Sequence, residues 1–246
     1  MSAVPESDPE FSESLLEQIF SLWVEPELER RGQDLGRDGV SKALVVMAPG
    51  RRVETLINDE AELVAEVRVT RPVEAGEPVT TTDVDRVESV RPHDIDPNAG
   101  WICFARLGNE VVIAFDFRRN RARAGRLIQR AREFVHAARL ARDASLLGPA
   151  IEAAFAAAEL AVVGQMLLID DDPPQAHPQR RRWFVGWTEL GNAPDVHSRT
   201  LTTLAKHRRA ARYADRAVRL DSERLAEVLS VVDEMIDHAS SAIALP

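Results

Sequence analysis

Residues 101–143 read WICFARLGNEVVIAFDFRRNRARAGRLIQRAREFVHAARLARD, and the hydrophobic period changes inside them. Trp101–Leu107 and Val111–Phe117 are short apolar runs on either side of Gly108–Asn109. Both residues of that dipeptide tolerate positive φ, so the segment predicts a tight antiparallel hairpin. In the second run Val112, Ala114 and Asp116 alternate with Val111, Ile113, Phe115 and Phe117, which suits a sheet covered by helices on one face. Asn120 is a good N-cap, and Leu127, Ile128, Ala131, Phe134, Val135 and Ala138 then recur at helical spacing over about 120–143.

Upstream, Phe11, Leu15, Leu16, Ile19, Phe20 and Trp23 predict an amphipathic helix over 9–23, with Pro26 opening a polar connection. Ala43–Met47, Val53–Ile57 and Leu63–Val69 read as strands of an antiparallel meander, which gives a sheet of about five strands. Residues 70–87, TRPVEAGEPVTTTDVDRV, carry a Gly-Glu turn and a Thr-Asp step, and over this short stretch they resemble β-clip or SAF modules. A proline-rich crossing, Pro92 and Pro97, leads back to the hairpin.

Downstream, Gly148–Pro149 breaks the first helix, and AAFAAAELAVVGQMLL predicts a second over 149–168 that is apolar nearly all round. Such a helix suits a bundle centre or a subunit interface. The segment 170–195 is punctuated by proline and glycine and reads as a loop. A third helix starts near Val196–Ser198, and Asp221 or Ser222 caps a fourth. The predicted fold is α+β: a small antiparallel sheet domain with one N-terminal helix, residues 1–117, then a four-helix bundle, residues 118–246.

Charge divides at the same point. Up to Phe117 there are 24 acidic against 11 basic residues, and from Arg118 onward 16 against 20. Hydrophobic residues at 45% and charged residues at 29% exclude a disordered chain. One cysteine, Cys103, excludes an internal disulfide and a multi-cysteine zinc site. The acidic start lacks the apolar core of a secretory signal, and no apolar run suggests a membrane span, so the expectation is a cytoplasmic protein.

The C-terminal half resembles HEPN helical bundles. The pieces that carry the resemblance are Ala153–Leu168, His197, the run from Arg209 to Asp215, and Asp221–Ala239. It implies a homodimer of bundles and, in active members of the family, metal-independent RNA cleavage by an arginine followed a turn or two later by a histidine. Here no histidine follows Arg208, Arg209 or Arg212 before His238, and the one suitably spaced pair, Arg130 and His136, lies on the first helix.

Three basic clusters are the candidate sites. Arg119, Arg123, Arg126 and Arg130 fall at three- and four-residue intervals along the first helix and could meet a phosphate backbone. They could equally form a solvated face that pairs with acidic residues, because arginines at a helix start oppose the macrodipole. Arg180, Arg181 and Arg182 with Trp183, Phe184 and Trp187 combine phosphate-binding charge with stacking rings, unless the rings anchor the segment to the bundle. His207 with Arg208 and Arg212 could supply acid–base chemistry and charge stabilisation, unless Arg209, Arg212, Asp215 and Arg216 are structural pairs around a buried Tyr213. Glu152 and Glu159, two turns apart on the apolar second helix, need cationic partners. Asp170–Asp172 and His93-Asp94-x-Asp96 are poor metal sites, no phosphate loop or nucleophile elbow is present, and no metal or cofactor is expected. The sequence therefore reads as a non-catalytic HEPN-like binding protein, a homodimer engaging RNA or an acidic protein surface, with a HEPN-type ribonuclease as the alternative.

Overall fold

The N-terminal helix outruns its sequence prediction. In the computed structural model, which describes residues 9–107, 110–213 and 220–244, α1 (Pro9–Ile19) passes through a π-helical turn (Phe20–Val24) into α2 (Glu25–Arg31). The Glu25 N–H reaches back to the Phe20 carbonyl, which gives the wider turn. Pro26 then sits in the first turn of α2, where its missing N–H costs nothing. The break expected at Pro26 falls instead at Gly32, whose left-handed φ of 65° ends the helix.

Six strands follow: β1 (Lys42–Met47), β2 (Glu54–Ile57), β3 (Leu63–Val69), β4 (Val84–Pro92), β5 (Gly100–Leu107) and β6 (Glu110–Asp116). They do not make one meander. A four-stranded antiparallel sheet has the order β2-β1-β5-β6, and β3 pairs with β4 in a separate ribbon. Strand β4 escapes a period-2 reading because Val84, Val87 and Val90 recur every third residue, and the ribbon absorbs this through two register shifts, at Glu66/Val67 and Arg68/Val69. The sheet is covered on both faces rather than one. Ala43, Val45, Ile102 and Phe104 pack on Ile19, Phe20, Val24 and Leu28 of the helix, while Leu44, Trp101 and Cys103 pack toward Val87 and Val90 of the ribbon. Residues 108 and 109 lie outside the described residues, but Leu107 pairs with Glu110 across them.

The chain divides into two compact units, Met1–Phe117 and Arg118–Pro246. The second contains α3 (Arg121–Asp143), α4 (Leu147–Leu167), α5 (His177–Glu189), α6 (Asp195–Tyr213) and α7 (Ser222–Ile243). Four of these are the predicted helices. The fifth, α5, occupies the segment read as a loop. Pro178 in its first turn and Gly191 just past its end, at φ 79°, are helix punctuation rather than loop punctuation. At the start of α7 the Asp221 side chain accepts from the Arg224 N–H at 2.8 Å, a regular N-cap.

Helix α4 runs through the centre of the bundle against α3, α6 and α7. From Ala150 to Leu168 none of its residues is exposed, so of the two roles its composition suits, bundle centre or subunit interface, α4 takes the first. By length and composition α4 would pass as a membrane span, contrary to the expectation that no run reaches that length, and 72% of its most apolar window is buried inside the bundle. Gly164 permits the α3–α4 approach, since a Cβ there would lie 3.0 Å from the Ile128 Cδ1.

The arginines that open α3 are partnered inside the same unit. Arg119 donates its backbone N–H to the Leu168 carbonyl at 2.8 Å and its guanidinium to the Ile169 carbonyl and to Asp171. Arg123 reaches the Asp171 carbonyl, Arg118 that of Ala242 and Arg121 that of Ile243. The group thus covers the carbonyl ends of α4 and α7, where helix dipoles favour positive charge. Asn120 stands at the N-cap position but does not cap. Its Nδ2 donates to the Leu167 carbonyl at 3.1 Å and to Asp171 at 2.7 Å.

Candidate functional site

The positions that matter most lie on one face of α4. Glu152, Phe155 and Glu159 follow one another at three and four residues, so their side chains stack along the helix. Glu152 Oε2 accepts from Arg208 Nε at 3.2 Å and from Arg212 Nη2 at 2.8 Å, both on α6. The Arg208 guanidinium lies over the Phe155 ring, 4.6 Å from its centroid, a cation–π contact. The His177 ring meets Phe155 edge-on at 5.6 Å. Glu159 Oε1 holds His177 Nδ1 in a short hydrogen bond, and Oε2 lies 3.3 Å from Arg180 Nη1. Arg180 is fixed from its other side, donating Nε to the Pro174 carbonyl at 2.6 Å.

The result is an unbroken ladder: Arg212, Glu152, Arg208, Phe155, His177, Glu159, Arg180. Clefts of about 450 Å³ and about 220 Å³ open on it. The larger is walled by Phe134, Pro149, Ala153, Glu152, Arg208 and Arg212, and the smaller adds Arg181, Leu201 and Ala205, while Phe155, Glu159, His177 and Arg208 line both. Glu152 Oε1 is buried and has no hydrogen-bond partner among the described residues, which leaves an acceptor for a donor from outside. His177 is half exposed, and with Nδ1 engaged by Glu159 its other nitrogen, Nε2, is the one free for proton transfer. Among the described residues no group of three or more His, Cys, Asp or Glu is placed to hold a metal ion.

The sequence-predicted residues are distributed unevenly over this site. Arg208 and Arg212 are in it. His207, one residue from Arg208, is half-buried and turned about 100° around α6, so it does not line either cleft. Its place is taken by His177, in the segment that the sequence predicts as a loop. Arg180, Arg181 and Arg182 diverge, into Glu159, toward the smaller cleft and into solvent respectively. Trp183 and Trp187 stack on each other at 5.0 Å and pack on the bundle core, with Trp187 Nε1 donating to Gln165 Oε1 at 3.2 Å. These rings anchor α5.

Arg130 pairs with Glu133 at 3.1 Å, and Arg130 and His136, six residues apart, point about 120° away from each other on α3. The spacing that fits along the sequence does not bring the two groups to one face. Arg132 and Arg139 pair with Asp237 and Asp233 of α7, whereas Arg126 is exposed. Tyr213 is exposed rather than buried, Arg212 turns to Glu152 instead, and Asp215 and Arg216 lie outside the described residues. Of the poor metal candidates, Asp171 is taken by Arg119 and Asn120, and Asp96 by the backbone and side chain of Asn98.

Comparison with known proteins bears on this unit alone. No curated protein and no solved structure matches the chain, and no family model matches its N-terminal half. The HEPN domain model matches residues 124–241, from the first turn of α3 nearly to the end of α7. The chain therefore carries a HEPN domain, and the ladder of α4, α5 and α6 lies wholly within it.

Proposed function

We propose that this is a cytoplasmic, homodimeric RNA-binding protein whose HEPN domain holds the phosphate backbone at the α5–α6 side of the ladder and does not cleave it. The supporting observation is the charge count of the clefts: Arg180, Arg181, Arg208 and Arg212 surround only Glu152 and Glu159. After both carboxylates are matched, positive charge remains, and guanidinium groups fork well onto phosphate. Binding of short labelled single-stranded RNA is measured by fluorescence anisotropy between ~50 and ~200 mM salt. Affinity is expected to fall steeply with salt, and Arg181→Ala and Arg208→Ala each to flatten the log–log slope by about 0.7. No binding at the lowest salt, or slopes unchanged in both variants, would falsify the reading.

A second reading, metal-independent RNA cleavage, is favoured by one observation: His177, oriented by Glu159, shares its clefts with Arg208. A histidine base held by a carboxylate beside an arginine is a workable set for transferring a proton and stabilising a charged phosphate. The same RNA run on a gel distinguishes the two readings. Cleavage that persists with chelator and disappears in His177→Ala would replace the binding-only reading.

A further inference from the structure

The larger cleft has a wall that phosphate binding does not use. Its cationic side is the ladder, where Arg208 and Arg212 converge on Glu152. Its other side is made by Phe134 of α3 with Pro149, Ala153 and Ala156 of α4. The last three follow one another at four and three residues, so they form a strip along α4 beside that of Glu152, Phe155 and Glu159. None of the four carries a polar side-chain atom, and alanine at 153 and 156 leaves room that a longer side chain would take. The two rings of the cleft differ in what remains free. Phe155 is buried, with the Arg208 guanidinium over its face at 4.6 Å and the His177 ring edge-on at 5.6 Å. Phe134 packs on the bundle core and is partly exposed where it walls the cleft, and among the described residues no ring or guanidinium is stacked on it. At about 450 Å³ this cleft lies within the roughly 300–1,000 Å³ of sites that enclose small molecules, and its neighbour of about 220 Å³ falls below that range.

We propose that the larger cleft takes one unpaired base of an RNA strand, stacked on Phe134 along the Pro149–Ala153–Ala156 strip, while Arg208 and Arg212 hold a phosphate next to it. This rests on the phosphate-binding reading above and deepens it, since the ligand becomes a whole nucleotide rather than backbone alone. A nucleotide is flat and apolar-faced at one end and anionic at the other. The cleft is built the same way, with a free aromatic ring and a smooth apolar strip on one side and guanidinium groups on the other. Every base has a π-face, so an aromatic platform accepts any of them. A base inside a duplex has both faces covered by its neighbours and enters such a slot only after unstacking, which costs a few kcal/mol. Phe134 is therefore the residue that distinguishes a strand with free bases from bare phosphate charge.

The full-length chain is titrated with a short labelled oligouridylate and with the same ribose-phosphate chain lacking its bases, both followed by fluorescence anisotropy at ~50 mM salt. The two chains carry equal charge, so phosphate contacts alone bind them equally. Wild type is expected to bind the chain with bases about tenfold more tightly, within what one stacked base contributes. Phe134→Leu keeps an apolar side chain on the core but removes the platform. It is expected to abolish most of that advantage while leaving the affinity for the abasic chain and the salt slope unchanged. Ala153→Leu fills the slot from α4 without altering the ring, and it is expected to do the same, with circular dichroism reporting the fold of both variants. Equal binding of the two chains by wild type, or an advantage that survives either variant in folded protein, overturns the base slot and leaves phosphate binding standing. Binding of neither chain overturns the phosphate-binding reading and the slot with it.

Discussion

At His197 the helical unit leaves a buried nitrogen, Nδ1, without a hydrogen-bond partner among the described residues. The ring is almost wholly enclosed, and His238 stands edge-on to it at 5.7 Å while its Nε2–H donates to the Asn192 carbonyl at 3.0 Å. Burial first, and His238 second, push the His197 imidazole down to about 4. Above about pH 6.5 the imidazole is neutral in both folded and unfolded chains, and it costs nothing. As pH falls from about 6.5 toward about 4, the unfolded chain takes up a proton that the folded chain refuses, so stability is lost across that window, by up to about 3 kcal/mol. His197→Leu, which cannot titrate, is expected to flatten the decline of the urea midpoint between pH 7 and pH 4.5, and an unchanged decline would assign the acid sensitivity to other groups. Nothing in the sequence singles out His197 for this. A histidine four residues short of Leu201 on a helical face reads as one more core position, and its proximity to His238, on another helix, depends on tertiary packing.

At the scale of elements, α3 and α4 depend on a single absent side chain. A leucine at 164 would drive into Ile128 and approach the Ala124 carbonyl, which a Cβ already nears at 3.7 Å. Gly164→Leu is expected to destabilise the bundle by about 1–3 kcal/mol despite the better helix propensity of leucine, read as a lower thermal midpoint. The helices themselves are mostly legible, because α3, α6 and α7 each carry a 3.6-residue period and α4 is an apolar run too long for a strand. Helix α5 was not, although Arg180, Phe184, Trp187 and Thr188 keep that period: five prolines and glycines within 173–191 outweighed it, and three of those residues are the helix's own start, interior and stop. The candidate site shared that loss. Arg208 and Arg212 were found from local charge, but their partners Glu152 and Glu159 are given by packing, and His177 entered only once α5 had formed. In the sheet unit the hairpin of β5 and β6 was readable from its turn, while β4 was concealed by register shifts that no local pattern announces.

For the whole molecule, the main core of the helical unit draws only on residues of that unit, from Ile128 to Ala239, nearly all of them on α3 to α7. Residues 118–246 produced as a separate chain are therefore expected to fold, with a helical circular dichroism spectrum and a single cooperative unfolding transition. A fragment without such a transition would show that its stability comes from elsewhere. The same architecture has a bearing on the fate of damaged copies. Helix α4 owes its tolerance in water entirely to the four helices around it, and once they part it is a 21-residue apolar segment. An unfolded copy therefore exposes a long stretch of apolar surface in one piece, the kind of surface through which partly folded chains associate. Core variants of this bundle are thus expected to accumulate in the aggregated fraction of a cell, measured by sedimentation of the lysate.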